Sequence, residues 1–234
     1  MTTFEFRPFP FGIGVYSFWE AARYAGASAR DLRRWIRAYS AKPRAHASSP
    51  LWDSQLLEWR RDDVGFRDVM ELRFVCALRC AGLPLPVIRR VLDAGRDDLQ
   101  VAYPLSSEGF RERGRNVLLK GLAGSGLGRV EVNDQHRRKL MSILAGPRLR
   151  HGLEFGEDAQ PARWFPLRRS RAIVLDPDRR AGEPILTDAG VPTMTIAAAF
   201  KADNNDARFV AWRYGISEAE VRIAIRFETR WRPV

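Results

Sequence analysis

Residues 24–36 read YAGASARDLRRWI, and this stretch decides the fold of the first part of the chain. Projected on a helix of about 100° per residue, its apolar side chains fall together within roughly 100° of arc. These are Leu32, Trp35 and Ile36, with Tyr39 just beyond the stretch. The opposite side carries only arginines, namely Arg30, Arg33, Arg34 and Arg37. Because a solvated helix face usually mixes both signs of charge, the pattern favours a cationic face with a partner over a plain solvated face.

Capping signals divide the surrounding sequence into two short helices. Ser17 and Glu20 have the spacing of a capping box, and Ser28 with Asp31 gives a second, weaker one. Gly26, between them, suits the positive φ angle at which many helices end. The helices predicted on either side of this turn span Phe18–Ala25 and Ala29–Tyr39.

Two short helices joined by a glycine-containing turn, the second of them basic, form the pattern of a helix-turn-helix. In that motif the second helix enters the DNA major groove, and its N-terminal residues meet base edges. Arginine is well matched both to guanine and to phosphate. The predicted groove contacts are therefore Arg30, Arg33, Arg34 and Arg37.

The whole chain is basic, which narrows the choice of partner. Its 234 residues contain 39 Lys and Arg against 28 Asp and Glu, a formal net charge of +11. A basic protein of this size most often binds nucleic acid, with an acidic protein second and an anionic membrane surface third. The start, MTTFEFRPFPFGIG, lacks the features of a signal peptide, and no apolar run has transmembrane length. We therefore expect a cytoplasmic protein without a membrane partner.

A candidate wing follows the basic helix. LWDSQLLEW, residues 51–59, offers two short strand-like pieces around Asp53 and Ser54, which we interpret as a β-hairpin. A surface loop is the alternative. Lys42 and Arg44, ahead of this segment, are predicted to contact DNA phosphate; Arg60 and Arg61 after it could do the same.

A second helix pair comes next. FRDVMELRFVCALRCAG has helical spacing and is ended by Gly82, and LPLPVIRRVLDAG begins near Pro86 and stops at Gly95. In this order of parts, residues 14–95 resemble a MerR-type winged-helix DNA-binding domain. After Gly95 the sequence is polar and broken, where effector-sensing relatives continue into a long dimerising helix.

Residues 96–169 read as a β-containing middle region. VLLKG and RVEVND flank the glycine-rich LAGSGLG, which predicts a β-hairpin with a flexible loop. No Lys-Ser/Thr follows the glycines, so a phosphate loop is disfavoured. PARWFPL reads as an extended linker, because Pro161 and Pro166 exclude a regular helix.

Residues 170–234 read as a small helical domain that closes with a second helix-turn-helix-like unit. Gly215 is the predicted stop of one helix, and Ser217 with Glu220 forms a capping box for the last one. The other predicted elements are a strand at Ile173–Leu175 and helices at Thr195–Phe200 and Ala207–Tyr214.

This segment resembles a small antitoxin-associated domain of unknown function, common in bacterial toxin–antitoxin operons, over residues 171–231. The matching positions are Val174, Leu175, Asp176, Pro177, Gly182, Pro184, Ile185, Val191, Pro192, Thr193, Tyr214, Gly215, Ile216, Ser217, Val221, Ala224, Phe227 and Glu228. Ala189 and Gly190 stand where members usually carry Thr-Arg. A MerR-like head joined to this tail resembles a VapB-type antitoxin. The resemblance implies repression of its own operon and neutralisation of a PIN-domain ribonuclease toxin.

The last helix and tail, RIAIRFETRWRPV, are basic enough to bind such a toxin. A PIN-type active site is acidic because carboxylates hold its metal, and arginines can pair with those carboxylates. The predicted toxin-binding residues are Arg222, Arg226, Phe227, Arg230, Trp231 and Arg232. The alternative is a helix packed on its own domain, with solvated arginines.

No residue pattern indicates catalysis. Asp176 with Asp178, and Asp203 with Asp206, lie in turn contexts that favour aspartate for local hydrogen bonding. Cys76 and Cys80, the only cysteines, are predicted to be buried free thiols. We expect no enzyme activity, no metal and no cofactor.

These patterns together predict a mainly α protein with minor β structure. Its expected parts are a winged helix-turn-helix domain at 1–95, a β-containing middle region at 96–169 and a small helical domain at 170–234. The expected partners are double-stranded operator DNA, a PIN-domain toxin and a second copy of the chain, since such repressors bind pseudo-palindromes as dimers. A stand-alone MerR-like regulator and a sequence-independent nucleoid protein remain alternatives.

Overall fold

The structure is a computed structural model that describes residues 11–37, 49–58, 62–123, 140, 142 and 147–230. Several predicted features lie outside these residues. They are Tyr39, Lys42, Arg44, Arg60, Arg61, Trp231, Arg232, and the RVEVND strand with most of its glycine-rich loop. Among the described residues, no helix combines the length and the apolar content needed to cross a bilayer.

The fold is mainly helical with small antiparallel sheets, as predicted. The helices are α1 (Phe18–Ala25), α2 (Ala29–Ile36), α3 (Phe66–Cys80), α4 (Leu85–Leu99), α5 (Phe110–Ala123), α6 (Pro147–Arg150), α7 (Thr193–Ala202), α8 (Ala207–Tyr214) and α9 (Glu218–Arg230). The strands are β1 (Tyr16–Ser17), β2 (Asp63–Val64), β3 (Leu153–Phe155), β4 (Pro161–Trp164), β5 (Ile173–Val174) and β6 (Ile185–Leu186). They pair antiparallel, β1 with β2, β3 with β4 and β5 with β6.

The caps around α1 and α2 form as the sequence predicts. The Ser17 hydroxyl accepts a hydrogen bond from the Glu20 N–H at 3.2 Å, and the Glu20 carboxylate accepts one from the Ser17 N–H at 2.8 Å. Gly26 ends α1 with φ 75°. The Ser28 hydroxyl then caps α2 by accepting from the Asp31 N–H at 3.1 Å. Helix α1 has its predicted bounds, whereas α2 ends at Ile36, three residues earlier than predicted.

The hairpin predicted at 51–59 is wrong for its described part, 51–58, which forms turns. The cause is Asp68 in the first turn of α3, which is fully buried. Its carboxylate accepts hydrogen bonds from Trp52 Nε1 at 2.7 Å and from the Ser54 hydroxyl at 2.7 Å. These bonds fold the segment onto α3, and β2 pairs instead with β1.

Two further predictions, the end of α4 at Gly95 and a strand at VLLKG, are wrong. Helix α4 runs through Gly95 to Leu99 instead of stopping at the glycine. A Cβ at Gly95 would lie 2.7 Å from Pro104 Cβ, so this glycine permits close packing rather than ending the helix. VLLKG belongs to α5 and is not a strand. Within it Gly121 approaches α4 closely, since a Cβ there would lie 2.7 Å from Val91 Cα.

The segment predicted as a linker is instead part of the core. PARWFPL is extended, as predicted, but β4 pairs with β3, and Trp164 is 3% exposed. The Trp164 N–H donates to the Leu175 carbonyl at 3.0 Å, and the Leu175 N–H donates back at 2.9 Å. This exchange joins β4 to the strand β5, which precedes the C-terminal helices.

One cluster of buried side chains runs from Tyr16 to Phe227 and includes members from all three predicted segments. Direct hydrogen bonds also join the two ends of the described chain. The Tyr16 hydroxyl donates to the Gly182 carbonyl at 2.7 Å in a buried position, and the Val15 N–H donates to the Ala181 carbonyl at 2.8 Å. The N-terminal and C-terminal helices therefore share one core.

Candidate nucleic-acid interface

Helix α2 separates its apolar and basic sides as the sequence predicts. Leu32, Trp35 and Ile36 are buried against the core. Three of the four predicted arginines, Arg30, Arg33 and Arg34, are exposed, and Arg37 is half-buried. The side of α2 opposite the core is therefore cationic along its length.

A cleft of about 1070 Å³ brings all four of these arginines together. Helix α2 forms one side of the cleft, and the start of α1 forms another through Ser17, Phe18 and Trp19. Asp63, the first residue of β2, and Asp62 just before it complete the lining. The strand pair β1–β2 holds these parts in place, because β1 leads directly into α1.

Aromatic and acidic neighbours orient two of the arginines. The guanidinium carbons of Arg33 and Arg37 lie 5.3 Å and 5.8 Å from the centre of the Phe18 ring, within cation–π range. Arg37 Nη2 also donates to the Asp63 carbonyl at 3.2 Å. Arg33 Nη2 lies 3.1 Å from Asp62 Oδ1, and both side chains are more than half exposed. Such an exposed pair contributes about 0–1 kcal/mol, so a phosphate can replace the carboxylate at little cost.

Arg30 and Arg34 form no ion pair with any described residue. Both lie exposed on the cleft, so their donors face solvent rather than a carboxylate of any described residue. A guanidinium in this state can make bidentate bonds to a phosphate or a guanine edge without first breaking an internal pair.

Trp19 is a cleft residue that the sequence reasoning missed. Its side chain is 81% exposed, although it stands between the buried Phe18 and the capping Glu20. Helical projection could have shown that Trp19 is exposed, though not that it borders the cleft, since Phe18, Ala22 and Ala25 share one side of α1 and Trp19 lies off that side. No sequence signal indicated Asp62 and Asp63, which the β1–β2 pairing brings to the cleft.

Four of the six predicted toxin-binding residues, those at 222, 226, 227 and 230, lie on α9, and one of these four needs correction. Phe227 is 1% exposed, so its side chain belongs to the core and is closed to a partner. It follows Val221 and Ala224 at helical spacing, and all three face inward. Arg222, Arg226 and Arg230 are exposed on the other side. Arg222 pairs with Glu218 at 2.6 Å, one turn earlier.

A contact between α1 and α9 joins the arginine cleft to this C-terminal helix. Arg23 Nη1 lies 2.7 Å from Glu228 Oε2, and Arg23 Nη2 donates to the Phe227 carbonyl at 2.7 Å. The Thr193 hydroxyl also donates to the Glu228 carboxylate. Beside this contact lies a groove of about 670 Å³, which Trp19 and Met194 border. Trp19 thus borders both this groove and the arginine cleft.

The aspartate and cysteine side chains considered above for catalysis or metal binding lie outside the arginine cleft. Asp176 is 4% exposed, accepts from the Asp178 N–H at 3.1 Å and pairs with Arg163 at 3.2 Å. Burial raises the pKa of the Cys76 thiol to about 12, while Cys80 is exposed rather than buried as predicted. The described residues hold no group of three or more His, Cys, Asp or Glu side chains placed to bind a metal ion.

Two buried carboxyl groups on α3 have raised pKa values. Burial raises the pKa of Asp68, against the lowering effect of its hydrogen bonds. Burial raises the pKa of Glu71 to about 7, although its carboxylate accepts from the Leu105 and Ser106 N–H groups at 2.9 Å and 2.8 Å. Both groups fasten loops to α3 and lie away from the arginine cleft.

Among known proteins, a solved structure is similar to this chain in fold. No protein-family model and no curated protein matches it. The crystal structure of Rv2018 from Mycobacterium tuberculosis is similar, with a TM-score of 0.64 and 22% sequence identity, covering 93% of this chain and 100% of that one. The chain is therefore a mainly helical protein with small antiparallel sheets whose fold is shared with Rv2018.

Proposed function

We propose that this chain is the DNA-binding antitoxin of a type II toxin–antitoxin system. It represses its own operon and neutralises a PIN-domain, VapC-like ribonuclease. The observation that carries the DNA-binding part is the cleft in which Arg30, Arg33, Arg34 and Arg37 gather on the solvent side of α2. The antitoxin part rests on the resemblance of residues 171–231 to the antitoxin-associated domain.

The cleft has the electrostatic properties that DNA binding requires. Helix α2 begins just after the Gly26 turn, and Arg30 and Arg33 lie in its first turn and a half. Residues at this end of a recognition helix reach base edges, and residues farther along contact phosphate. We assign Arg30, Arg33 and Arg34 to the groove and Arg37 to the backbone, where Phe18 and Asp63 already hold its guanidinium.

The DNA assignment is tested with Arg33→Ala and Arg34→Ala, compared with Arg115→Ala on α5, an exposed helical arginine outside the cleft. Each variant is titrated against the DNA upstream of its own gene at several salt concentrations. A lost phosphate contact reduces the slope of log affinity against log salt by about 0.9, and a lost base contact costs about 1–3 kcal/mol. Affinity equal to that of Arg115→Ala in both variants would refute the recognition-helix assignment.

The same titration separates the alternative functions that bind DNA. A repressor prefers its operator over random competitor DNA, by about 10³-fold or more. A nucleoid protein binds without sequence preference, so unlabelled operator DNA and unlabelled random DNA should displace it equally well. A stand-alone regulator prefers its operator as the antitoxin does. A pull-down from the host with mass spectrometry separates these two, because only the antitoxin brings down a stoichiometric ribonuclease.

Toxin neutralisation is assigned to the exposed arginines of α9. Because Phe227 and Glu228 belong to the core, shortening the chain at this point would also disturb the fold. Charge reversal is the sharper test: Arg226→Glu with Arg230→Glu, against Arg115→Glu as the matched control. The double reversal should leave the ribonuclease active in a mixture where the control inhibits it. Full inhibition by the double reversal would exclude α9 as the inhibitory segment.

A further inference from the structure

The described lining of the arginine cleft contains two aspartates beside its four arginines, Asp62 and Asp63. The side chain of Asp62 is 83% exposed, so its carboxylate is open to whatever the cleft binds. A carboxylate at this point repels the phosphates of a bound duplex and lowers the affinity for DNA of any sequence. Asp62 therefore suits a part of DNA that donates hydrogen bonds. In the major groove these donors are the amino groups of cytosine (N4) and adenine (N6).

Asp62 also lies at hydrogen-bond distance from an arginine of α2. Its Oδ1 is 3.1 Å from Arg33 Nη2, and the two residues are 29 positions apart in the sequence. The Arg33 guanidinium lies 5.3 Å from the centre of the Phe18 ring, which is buried and so gives it a fixed support. A guanidinium has five N–H donors, so donors remain for a ligand beside the one that Asp62 accepts. The pair therefore offers donors and an acceptor side by side.

The spacing of this pair matches one edge of a G·C base pair. Guanine O6 accepts a hydrogen bond from cytosine N4 within the base pair, so these two atoms are about 2.9 Å apart. Guanine presents O6 and N7 as acceptors in the major groove, and cytosine presents N4 as a donor. With Arg33 on the guanine side, it donates to O6 and N7 while Asp62 accepts from N4. Every contact then joins a donor to an acceptor.

The other three base pairs complement Arg33 and Asp62 less well. A T·A pair offers thymine O4 to Arg33 and adenine N6 to Asp62, but thymine has a methyl group instead of a second acceptor. An A·T or C·G pair places an amino group against Arg33 and a carbonyl oxygen against Asp62, so both contacts are repulsive. The expected order of affinity is G·C, then T·A, then A·T and C·G.

We propose that Arg33 and Asp62 together recognise one G·C base pair of the operator, and that Asp62 rejects A·T and C·G at that position. The inference rests on the proposed DNA-binding function and adds to it the base pair that the cleft selects. Asp62 directly precedes β2 and does not belong to α2, so base selection depends on the pairing of β1 with β2 as well as on the helix.

Competition titrations of the full chain test this inference. The labelled probe is the DNA upstream of its own gene, and the competitors are random DNA and duplexes that each carry one base-pair substitution in the probe sequence. For the wild type, one G·C position should show the stated order, with A·T and C·G weaker than G·C by about tenfold or more. For Asp62→Ala, the affinity for random DNA should rise because a negative charge leaves the cleft, and the discrimination against A·T and C·G should fall by about tenfold. Arg33→Ala should relax the preference at the same base pair.

Asp93→Ala is the matched control, because Asp93 is an exposed aspartate that pairs with Arg96 at 2.7 Å outside the cleft. It should change neither the affinity for random DNA nor the preference at any position. An equal rise in the affinity of Asp62→Ala for all duplexes would overturn the inference but leave the DNA-binding proposal standing. Effects of Asp62→Ala and Arg33→Ala at different base pairs would do the same. A wild type that binds neither upstream nor random DNA would overturn both.

Discussion

The contact between α1 and α9 predicts how much the substitution Arg23→Met lowers the free energy of unfolding. Arg23 makes an ion pair with Glu228 at 2.7 Å and a hydrogen bond to the Phe227 carbonyl at 2.7 Å, and its guanidinium lies 5.0 Å from the Phe227 ring. The side chain of Glu228 is only 6% exposed, while that of Arg23 is 23% exposed. Replacing Arg23 by Met keeps most of the apolar contact but leaves the buried Glu228 carboxylate without its cation.

The burial of Glu228 sets the expected loss of stability. Removing one partner of a fully buried ion pair costs about 3–5 kcal/mol. Because Arg23 is partly solvated and the Thr193 hydroxyl still donates to Glu228, we expect Arg23→Met to lower the free energy of unfolding by about 2–3 kcal/mol. In a chain of this size that corresponds to a melting temperature lower by roughly 5–10 °C.

Urea unfolding of a double-mutant cycle measures this contact. The cycle uses Arg23→Met, Glu228→Gln and the combination, and we expect a coupling energy of about 1–2 kcal/mol between the two positions. The matched control is Arg222→Met, which breaks the exposed pair with Glu218 on the same helix. That substitution should cost no more than about 1 kcal/mol.

Equal costs for Arg23→Met and Arg222→Met would refute the reasoning, because the burial of Glu228 would then have no energetic consequence. Two separate unfolding transitions in the wild type would also contradict it. A shared core that runs from Tyr16 to Phe227 predicts one cooperative transition.

Tyr16, Glu71 and Trp19 give three further measurable expectations. Tyr16→Phe leaves the buried Gly182 carbonyl without its donor and should lower the free energy of unfolding by about 1–2 kcal/mol in urea; unchanged stability would contradict this. Burial raises the pKa of Glu71 from 4.5 to about 7, so the folded state binds more protons than the unfolded chain across that window. The stability of the wild type relative to Glu71→Gln should therefore fall by up to about 3 kcal/mol as the pH rises from 5 to 8, and a flat difference would exclude this. Trp19 is exposed and lines the cleft, where its indole N–H can donate to a phosphate of bound DNA, so Trp19→Ala should weaken half-site DNA binding by about 1–2 kcal/mol. Trp212→Ala, which removes an exposed tryptophan on α8 outside the cleft, should leave the affinity unchanged.

Helix caps, helix bounds and helix faces could be predicted from the sequence wherever the interaction that sets them is local. The Ser17 capping box, the Gly26 turn, the bounds of α1 and the Gly215 stop of α8 each depend on residues within four positions of one another. The same holds for α2, where helical spacing alone separates Leu32 and its apolar neighbours from the arginines. The mainly α class follows from adding such local signals.

Predictions failed where residues distant in sequence decide the outcome. Asp68 draws Trp52 and Ser54 into turns from 16 and 14 residues away, and strand-like composition in the segment cannot reveal this. Gly95 reads as a stop signal, but its missing Cβ makes room for Pro104, so the helix continues past it.

The arginine cleft shows the same division within one site. The sequence by itself determined that Arg30, Arg33, Arg34 and Arg37 share one side of a helix, because that depends only on the 100° advance per residue. Tertiary structure alone decided that Asp62 and Trp19 border them, through the pairing of β1 with β2, and that Phe227 turns inward to the core. The physical reason is range: caps and helix faces are set by neighbours along the chain, whereas burial and strand pairing are set by segments that meet only after the chain has folded.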